Sequence, residues 1–484
     1  SFPTRRSSDL WQREGMETYK HPLTQFRYTV YQNLNKRADS VMDLLDALCS
    51  TPNARSTVEL SLSPYFRRGY SALFKAIAAY NLEGPALAQL AAPYLVAPEE
   101  RPFWLLATDV TPQPRPYSHT LADRGFVYQP TLIRGNKPIT IGHQYSTVVL
   151  LPEKKSASAP AWVVPLSVQR VPTDADKELV GTEQLRALLN DPQMPFHGQL
   201  CASARDASYS KPVCLVAERQ HENLVSITRV RSNRVFYHTY EPPPEAEPHP
   251  GHPRWYGERF ALREPETWGR PDEQATCILT NQQGRQYQAE ICAWHNLLMR
   301  GKRKPVVLPM HQYPFTLVRV QVYREDGTRL YRRALWFLIM GERRAEIPVT
   351  AAYDAYQQRF DIEHGYRFCK QRLLLSAYQT PDVAHEEHWW HLVHLAYLQL
   401  WIAREVAELL PRPWERYLPT MQTTAPLTPA LVQRDFGRII REFGTPAEAS
   451  KHRGYSPGRE PGRPGPLRER QPVRKKHPEP AFQA

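Results

Sequence analysis

The stretch Tyr356–Lys370, YQQRFDIEHGYRFCK, decides how the rest of the chain is read. It lies in a helical pattern that Pro348 opens and that runs to about Leu375. Arg359, Glu363 and Lys370 follow Tyr356 at offsets of 3, 7 and 14. At about 100° per residue the four fall within roughly 60° of one another, on one helix stripe. The acid on that stripe is suited to a metal ion, and the guanidinium and ammonium beside it to phosphates. A plainer reading is a surface helix with spaced ion pairs, because Arg359 and Glu363 are also i,i+4 neighbours.

Upstream, strand signals begin at FWLLATD (Phe103–Asp109) and continue with HQYSTVVLL (His143–Leu151) and AWVVPLSVQ (Ala161–Gln169). A short helix follows at Glu183–Leu189, then strands at QLCASARD (Gln199–Asp206) and LVSITRVR (Leu224–Arg231). Three strands, a helix and two more strands predict an α/β layer with a mixed sheet. Asp109 closes the first strand in Asp109-x-Thr111, and Asp206 follows the fourth in Asp206-x-x-Tyr209. Each has a modest alternative: a turn residue before Pro112, and a helix cap near Ser208–Lys211. The interval from Asp206 to Glu363 is far too long for one loop. Prolines crowd Glu241–Pro253, and strand candidates follow at Arg285–Trp294, Phe315–Tyr323 and Ala334–Met340, with a hairpin turn at Glu325–Gly327. Residues 232–347 therefore read as a β-rich insertion.

Residues 16–100 read as helical, with Val41, Leu44, Leu45 and Leu48 on one face and a second helix starting at Ser63-Pro64. Arg67, Arg68 and Lys75 there suit either phosphates or a solvated face. Further helices are expected at Ala384–Leu410 and Pro429–Phe443. Residues 411–484 form a basic, Pro- and Gly-rich C-terminal region, of which the last 34 residues are expected to be disordered or to order on a partner. SFPTRRSSDL at Ser1–Leu10 resembles a translated sequencing adapter, so residues 1–15 read as a non-native leader before Met16.

The 484 residues carry a net charge of +13, which draws polyanions, nucleic acid first among them. No run approaches the roughly 18 apolar residues of a membrane helix. None of the six cysteines forms a C-x-x-C pair, which argues against structural zinc and for free thiols in a reducing cytoplasm. His385, His388, His391 and His394 recur every three residues and drift around a helix, so they read as packing beside Trp389 and Trp390.

Tyr-x2-Arg-x3-Glu-x6-Lys resembles the helix signature of bacterial DDE transposases of the insertion-sequence-four type. The resemblance spans residues 101–410, and Gly454, Gly458 and Arg459 near the end also fit it. It implies a ribonuclease H-like core in two parts, 101–231 and 348–410, around the insertion, with a helical DNA-binding region before it. It implies Asp109, Asp206 and Glu363 as catalytic carboxylates holding two Mg²⁺ ions (Mn²⁺ as substitute) about 4 Å apart. Crowded carboxylates should raise at least one pKa in the metal-free state. Tyr356, Arg359 and Lys370 would then contact DNA. RVRSNR adds Arg229, Arg231 and Arg234, with Arg229, Arg231 and Asn233 on one face of a strand; Arg300, Lys302, Arg303 and Lys304 form a basic loop. In such enzymes an insertion-domain Trp stacks on a flipped base, for which Trp255, Trp268, Trp294 and Trp336 are candidates, each equally suited to a core. The implied activity is cut-and-paste DNA transposition in the cytoplasm, at the nucleoid. Its partners would be the inverted-repeat ends, the target duplex and a second copy of the chain. Alternatives are a DNA nuclease without strand transfer and a DNA-binding protein that has lost catalysis.

Overall fold

The structure is a computed structural model. It describes residues 21–83, 86–129, 138–156, 158–242, 254–281, 284–301, 308–410, 414, 426–450 and 467–475. The expected leader, Lys302, Arg303 and Lys304, most of the proline-rich stretch, and Gly454, Gly458 and Arg459 lie outside the described residues.

Among the described residues four α-helices come first: α1 (Pro22–Gln32), α2 (Ala38–Ser50), α3 (Tyr70–Ala79) and α4 (Leu87–Ala91). The second helix expected at Ser63-Pro64 begins instead at Tyr70, N-capped by Gly69. The polypeptide around Ser63 is extended after a single 3-10 turn over Glu59–Leu62.

The central sheet is built from β1 (Trp104–Pro114), β2 (Gly125–Tyr128), β3 (Ile139–Leu150), β4 (Val164–Val171), β5 (Cys201–Arg205) and β6 (Leu224–Arg229). Helices α5 (Lys177–Asn190) and α6 (Pro212–Glu218) make the β4–β5 and β5–β6 connections. β1 pairs antiparallel with β3 and β3 with β4, whereas β1–β5 and β5–β6 are parallel. Parallel neighbours need a crossover, and α6 supplies it for β5–β6. A mixed sheet in this order with flanking helices is the ribonuclease H-like fold that the strand pattern predicts. The parallel strands are buried on both faces, which is why Leu105–Ala107 and Cys201–Ala204 contain no exposed residue.

The β-rich insertion continues this sheet. Its first strands, β7 (Val235–Thr239) and β8 (Tyr256–Ala261), form a separate two-stranded ribbon. Then β9 (Glu273–Thr280), β10 (Gln286–Leu297), β11 (Phe315–Tyr323) and β12 (Leu335–Met340) pair antiparallel in series, and β12 docks on β6. The sheet reaches ten strands and ends on β9, whose residues alternate half-buried and exposed as an edge strand's should. Gly327, at φ +77°, makes the expected turn between β11 and β12. A second hydrophobic core gathers Phe260, Trp294, Phe315 and Trp336 under the ribbon.

Among the described residues four further α-helices follow: α7 (Val349–Gln358), α8 (Asp361–Arg372), α9 (Val383–Ala403) and α10 (Pro429–Phe443). The single helix expected from Pro348 to Leu375 is pinched into α7 and α8. At the joint Ile362 N donates to Arg359 O at 3.2 Å and Glu363 N to Phe360 O at 3.1 Å. Bonds to the third residue back replace the usual fourth, so the turn tightens and the axis shifts. α9 stops at Ala403, short of the expected Leu410.

α9 packs against β4 and against α1, α2, α3 and α10, so the N-terminal helices share the main core. Arg27, buried, binds Asp46 at 2.5 Å and reaches Gln399 of α9 at 3.1 Å. Arg67 and Arg68 both pair with the buried Asp43, at 2.7 and 3.0 Å, so they hold the fold together rather than sitting on a solvated face. Residues 467–475, expected to be disordered or to order on a partner, lie along this chain's own loop: Gln471 N donates to His119 O and Arg474 N to Arg124 O. All six cysteines are free, and Cys49, Cys201, Cys214 and Cys369 are buried. No helix among the described residues is long and apolar enough to cross a membrane.

Candidate active site

Asp109 lies within β1, not at its end as expected, because the strand runs on through Pro112 to Pro114. The prolines fit for a geometric reason. β5 pairs with β1 only from Trp104 to Ala107, so beyond that point one side of β1 has no neighbour. Arg115 N donates to Ile141 O of β3, and by the alternation of that ladder residues 112 and 114 turn away from β3 toward the open side. A missing N–H costs nothing there.

The same parting of β1 and β5 makes the site. The register Ala107↔Ala204 carries Asp109 level with Asp206, just past the end of β5. Crevices beyond the carboxyl ends of parallel strands are where α/β sheets bind ligands. Asp206 caps the short turn Ala207–Tyr209, its Oδ1 accepting from Ser208 N at 2.9 Å and Ser208 Oγ at 2.6 Å. The cap reading of Asp206 thus holds alongside its place in the crevice.

Glu363 comes from the first turn of α8. Arg359 Nη2 donates to Glu363 Oε1 at 3.0 Å, and the Glu363 side chain is 49 % exposed. Two bonds fasten α8 across β1: Tyr366 Oη donates to Asp109 O at 3.0 Å, and Lys370 Nζ to Thr111 Oγ1 at 2.6 Å. Burial pushes the Asp109 carboxyl up to about 6, against the pull of the Val110 N–H and Arg359, with Asp206 and Glu363 pushing the same way as burial. The raised carboxyl expected of crowded acids is therefore present, although burial outweighs repulsion as its cause.

Tyr356 and Arg359 are both buried. The Tyr356 ring stacks on Phe337 with centroids 5.7 Å apart, and burial raises its phenol above the usual range, with Arg359 and Arg229 opposing. Arg359 is buried and lies over the Phe360 ring at 4.5 Å. Burial lowers the Lys370 ammonium, with Asp109 opposing. Arg229 and Arg231 are exposed, while Arg234 is half-buried and donates to Ser210 O at 3.3 Å. The expected strand through Asn233 does not form. β6 ends at Arg229, and Ser232 and Asn233, both turn formers, carry the chain into β7.

Two tyrosines join the site that residue-by-residue reading passed over. Tyr209 Oη is buried without a hydrogen-bond partner, against Gly181, where a Cβ would come within 2.6 Å of it. The Asp206-x-x-Tyr209 spacing already pointed to it. Tyr366 stands between Glu363 and Lys370 at helical spacing on the same stripe.

The other candidates lie elsewhere. Trp294 and Trp336 are buried in the second core, with Trp268 against them at 6.1 and 5.0 Å. Trp255 stacks on His311 at 3.4 Å. Arg300 caps Tyr237 at 4.3 Å. His388 and His394 bond backbone carbonyls of Ile77 and Trp390 within the helical core, as the packing reading expects. Among the described residues no three His, Cys, Asp or Glu side chains are grouped tightly enough to hold a metal ion by themselves.

The chain matches the family model described as DDE superfamily endonuclease over residues 29–301, more than half its length. The matched span includes Asp109 and Asp206 and ends before α7 and α8. No curated protein matches the chain. The chain belongs to the DDE superfamily endonucleases, and so to enzymes that cut DNA phosphodiester bonds with the help of divalent metal ions.

Proposed function

We propose that this chain is a DNA transposase of the insertion-sequence-four type, cutting the inverted-repeat ends of a mobile element and joining them to target DNA. The observation that carries the reading is the meeting of β1, β5 and α8: Asp109 and Asp206 stand level where β1 and β5 part, and the helix bearing Glu363 is bonded to Asp109 O and Thr111 Oγ1 through Tyr366 and Lys370. That constellation draws on the strand–strand–helix order of the Tyr356–Lys370 resemblance.

The donor set suits Mg²⁺, with Mn²⁺ as a substitute: all three acids offer hard oxygen ligands, and a cation would offset the strain of a buried carboxylate. Asp109, Asp206 and Glu363 would hold it, and it would supply activation of the attacking oxygen and stabilisation of the leaving one. Glu363 is the acid that must turn inward, since its carboxylate is half exposed and held by Arg359. Arg359 would then be released toward the scissile phosphate. Lys370 and Tyr356 line the same path, and Arg229, Arg231 and Arg234 extend it with positive charge. The protein would work as a dimer on chromosomal DNA in the bacterial cytoplasm, each copy holding one end.

A strand-joining assay tests the reading. Purified protein with Mg²⁺ and a duplex carrying the element's own terminal repeat should nick the end and join its 3′-hydroxyl to a target plasmid, and EDTA should stop both steps. Nicking without joining would make the protein a nuclease. Tight DNA binding with neither step would make it a binding protein.

A further inference from the structure

We infer that the strap Leu467–Lys475 and the loop after β1 form a second DNA-backbone grip, placed within one duplex turn of the carboxylates. The inference rests on the DNA-cutting reading of that site and adds a surface to it.

A groove of about 430 Å³ opens between strap and loop, lined by Tyr117, Ser118, His119, Gln379, Arg468 and Arg470 among others. Among the described residues no Asp or Glu lines it, and its charged lining is Arg468 and Arg470, with Glu469 between them in the strap outside the lining. Hydroxyl, amide and guanidinium donors around a cationic cleft suit phosphate oxygens.

The floor is rigid. Arg115, fully buried, donates to Glu386 Oε2 at 2.6 Å and to Tyr378 O at 2.5 Å, next to Gln379 of the groove. Arg124, also buried, donates to Leu121 O and Arg115 O at 3.3 and 3.1 Å. Asp123 is locked to Arg170 at 2.5 Å.

The strap is different. It buries almost nothing, and Leu467 is fully exposed. Its two backbone bonds to His119 O and Arg124 O fix its path, and Arg474 lies 3.6 Å from Asp123. Nothing in the core requires this segment to dock, yet docking is what turns Arg468 and Arg470 into the groove.

The placement fits a duplex. From Asp109 to Pro114, β1 covers roughly 17 Å at about 3.3 Å per residue, and the groove begins three residues later at Tyr117. One turn of duplex DNA spans about 34 Å. DNA engaged at Asp109 and running with β1 therefore meets the groove before it has turned once.

The test is the salt dependence of duplex affinity for the full-length protein, measured without divalent metal so that cutting plays no part. Each phosphate contact contributes about 0.9 to the slope of log affinity against log salt. Arg468→Ala/Arg470→Ala should flatten the slope by about 1.8. Gln471→Pro removes the N–H that docks on His119 O while keeping every charge, and should flatten it comparably. An unchanged slope in the double variant, or tighter binding, overturns the grip. So does a normal slope in Gln471→Pro alone, which would make the tail a loose polycation. Wild-type protein that binds no duplex at all would instead sink the DNA-cutting reading on which the grip rests.

Discussion

Tyr366 of α8 donates its hydroxyl to the main-chain oxygen of Asp109, 3.0 Å away. A helix far along the sequence is thereby fixed against the first strand at Asp109. Tyr366 sits one turn after Glu363, so this bond holds the turn that carries Glu363 against β1.

Tyr366→Phe should therefore cost little in stability and much in rate. One hydrogen bond contributes about 1 kcal/mol net. A shift of about 1 Å in a reacting group costs on the order of a hundredfold. We expect denaturant unfolding to move by about 1 kcal/mol, DNA affinity to hold, and single-turnover cleavage to fall at least tenfold. Cleavage at the wild-type rate in the folded variant would reduce Tyr366 to a packing residue.

Glu363→Gln separates the metal-ligand role of Glu363 from a surface ion pair. It keeps size and polarity and removes the charge. As a ligand, Glu363 is essential for cleavage and dispensable for binding, because binding rests on the basic residues. As the partner of Arg359 alone, it would contribute about 0.5 kcal/mol and leave cleavage intact. The measurement is nicking of a terminal-repeat duplex by purified Glu363→Gln protein, expected below detection with wild-type affinity. Nicking at the wild-type rate would falsify the assignment of this helix.

Much of this was legible in the sequence, and the failures have physical causes. β11 and β12 show as runs of alternating or wholly apolar residues bounded by turn formers, and Gly327 marks the turn between them. Asp109 reads as a strand end because Pro112 usually stops a strand, and only the early end of β5 reveals an open side that tolerates it. The pinch at Arg359 has no sequence mark, since both joint residues keep helical dihedrals. Arg67 and Arg68 look free because their partner, Asp43, lies in a helix more than twenty residues upstream. Glu386 is the extreme case. Nothing in the His385–His388 segment marks it as buried, because its partners Arg115, His143 and Tyr145 are more than two hundred residues away.

Glu386 supplies the next prediction. Its carboxylate is fully buried and accepts from Arg115 Nε at 2.6 Å, His143 at 2.7 Å and Tyr145 Oη at 3.0 Å. Burial alone would raise its pKa, but the His143 and Arg115 bonds hold it below the usual carboxylate range. Glu386→Ala leaves a buried guanidinium without its counter-charge, which costs about 3–5 kcal/mol. Urea unfolding should show that loss, nearly unchanged between low and high salt because solvent ions do not reach the pair. A loss under about 1 kcal/mol, or one erased by salt, would show that the core relaxes around Arg115.

His394 gives the fold a pH dependence of defined sign. It is buried in α9, bonds Trp390 O at 2.7 Å, and has its pKa lowered to about 4 by burial, with the Trp390 carbonyl opposing and His391 assisting. The unfolded chain takes up this proton below about 6.5, and the folded one only near 4. Protons therefore favour the unfolded state across that window, and stability that is fully present above 6.5 is lost as pH falls toward 4. At about 1.36 kcal/mol per pKa unit, His394 should account for roughly 2 kcal/mol between pH 6.5 and 5. His391, also lowered by burial, adds to the same slope, so the comparison must change His394 alone. His394→Gln keeps a donor for the Trp390 carbonyl and cannot titrate. Denaturant unfolding at both pH values should show the variant losing roughly 2 kcal/mol less than wild type, and equal losses would mean that His394 is reached by water and protonates within the fold.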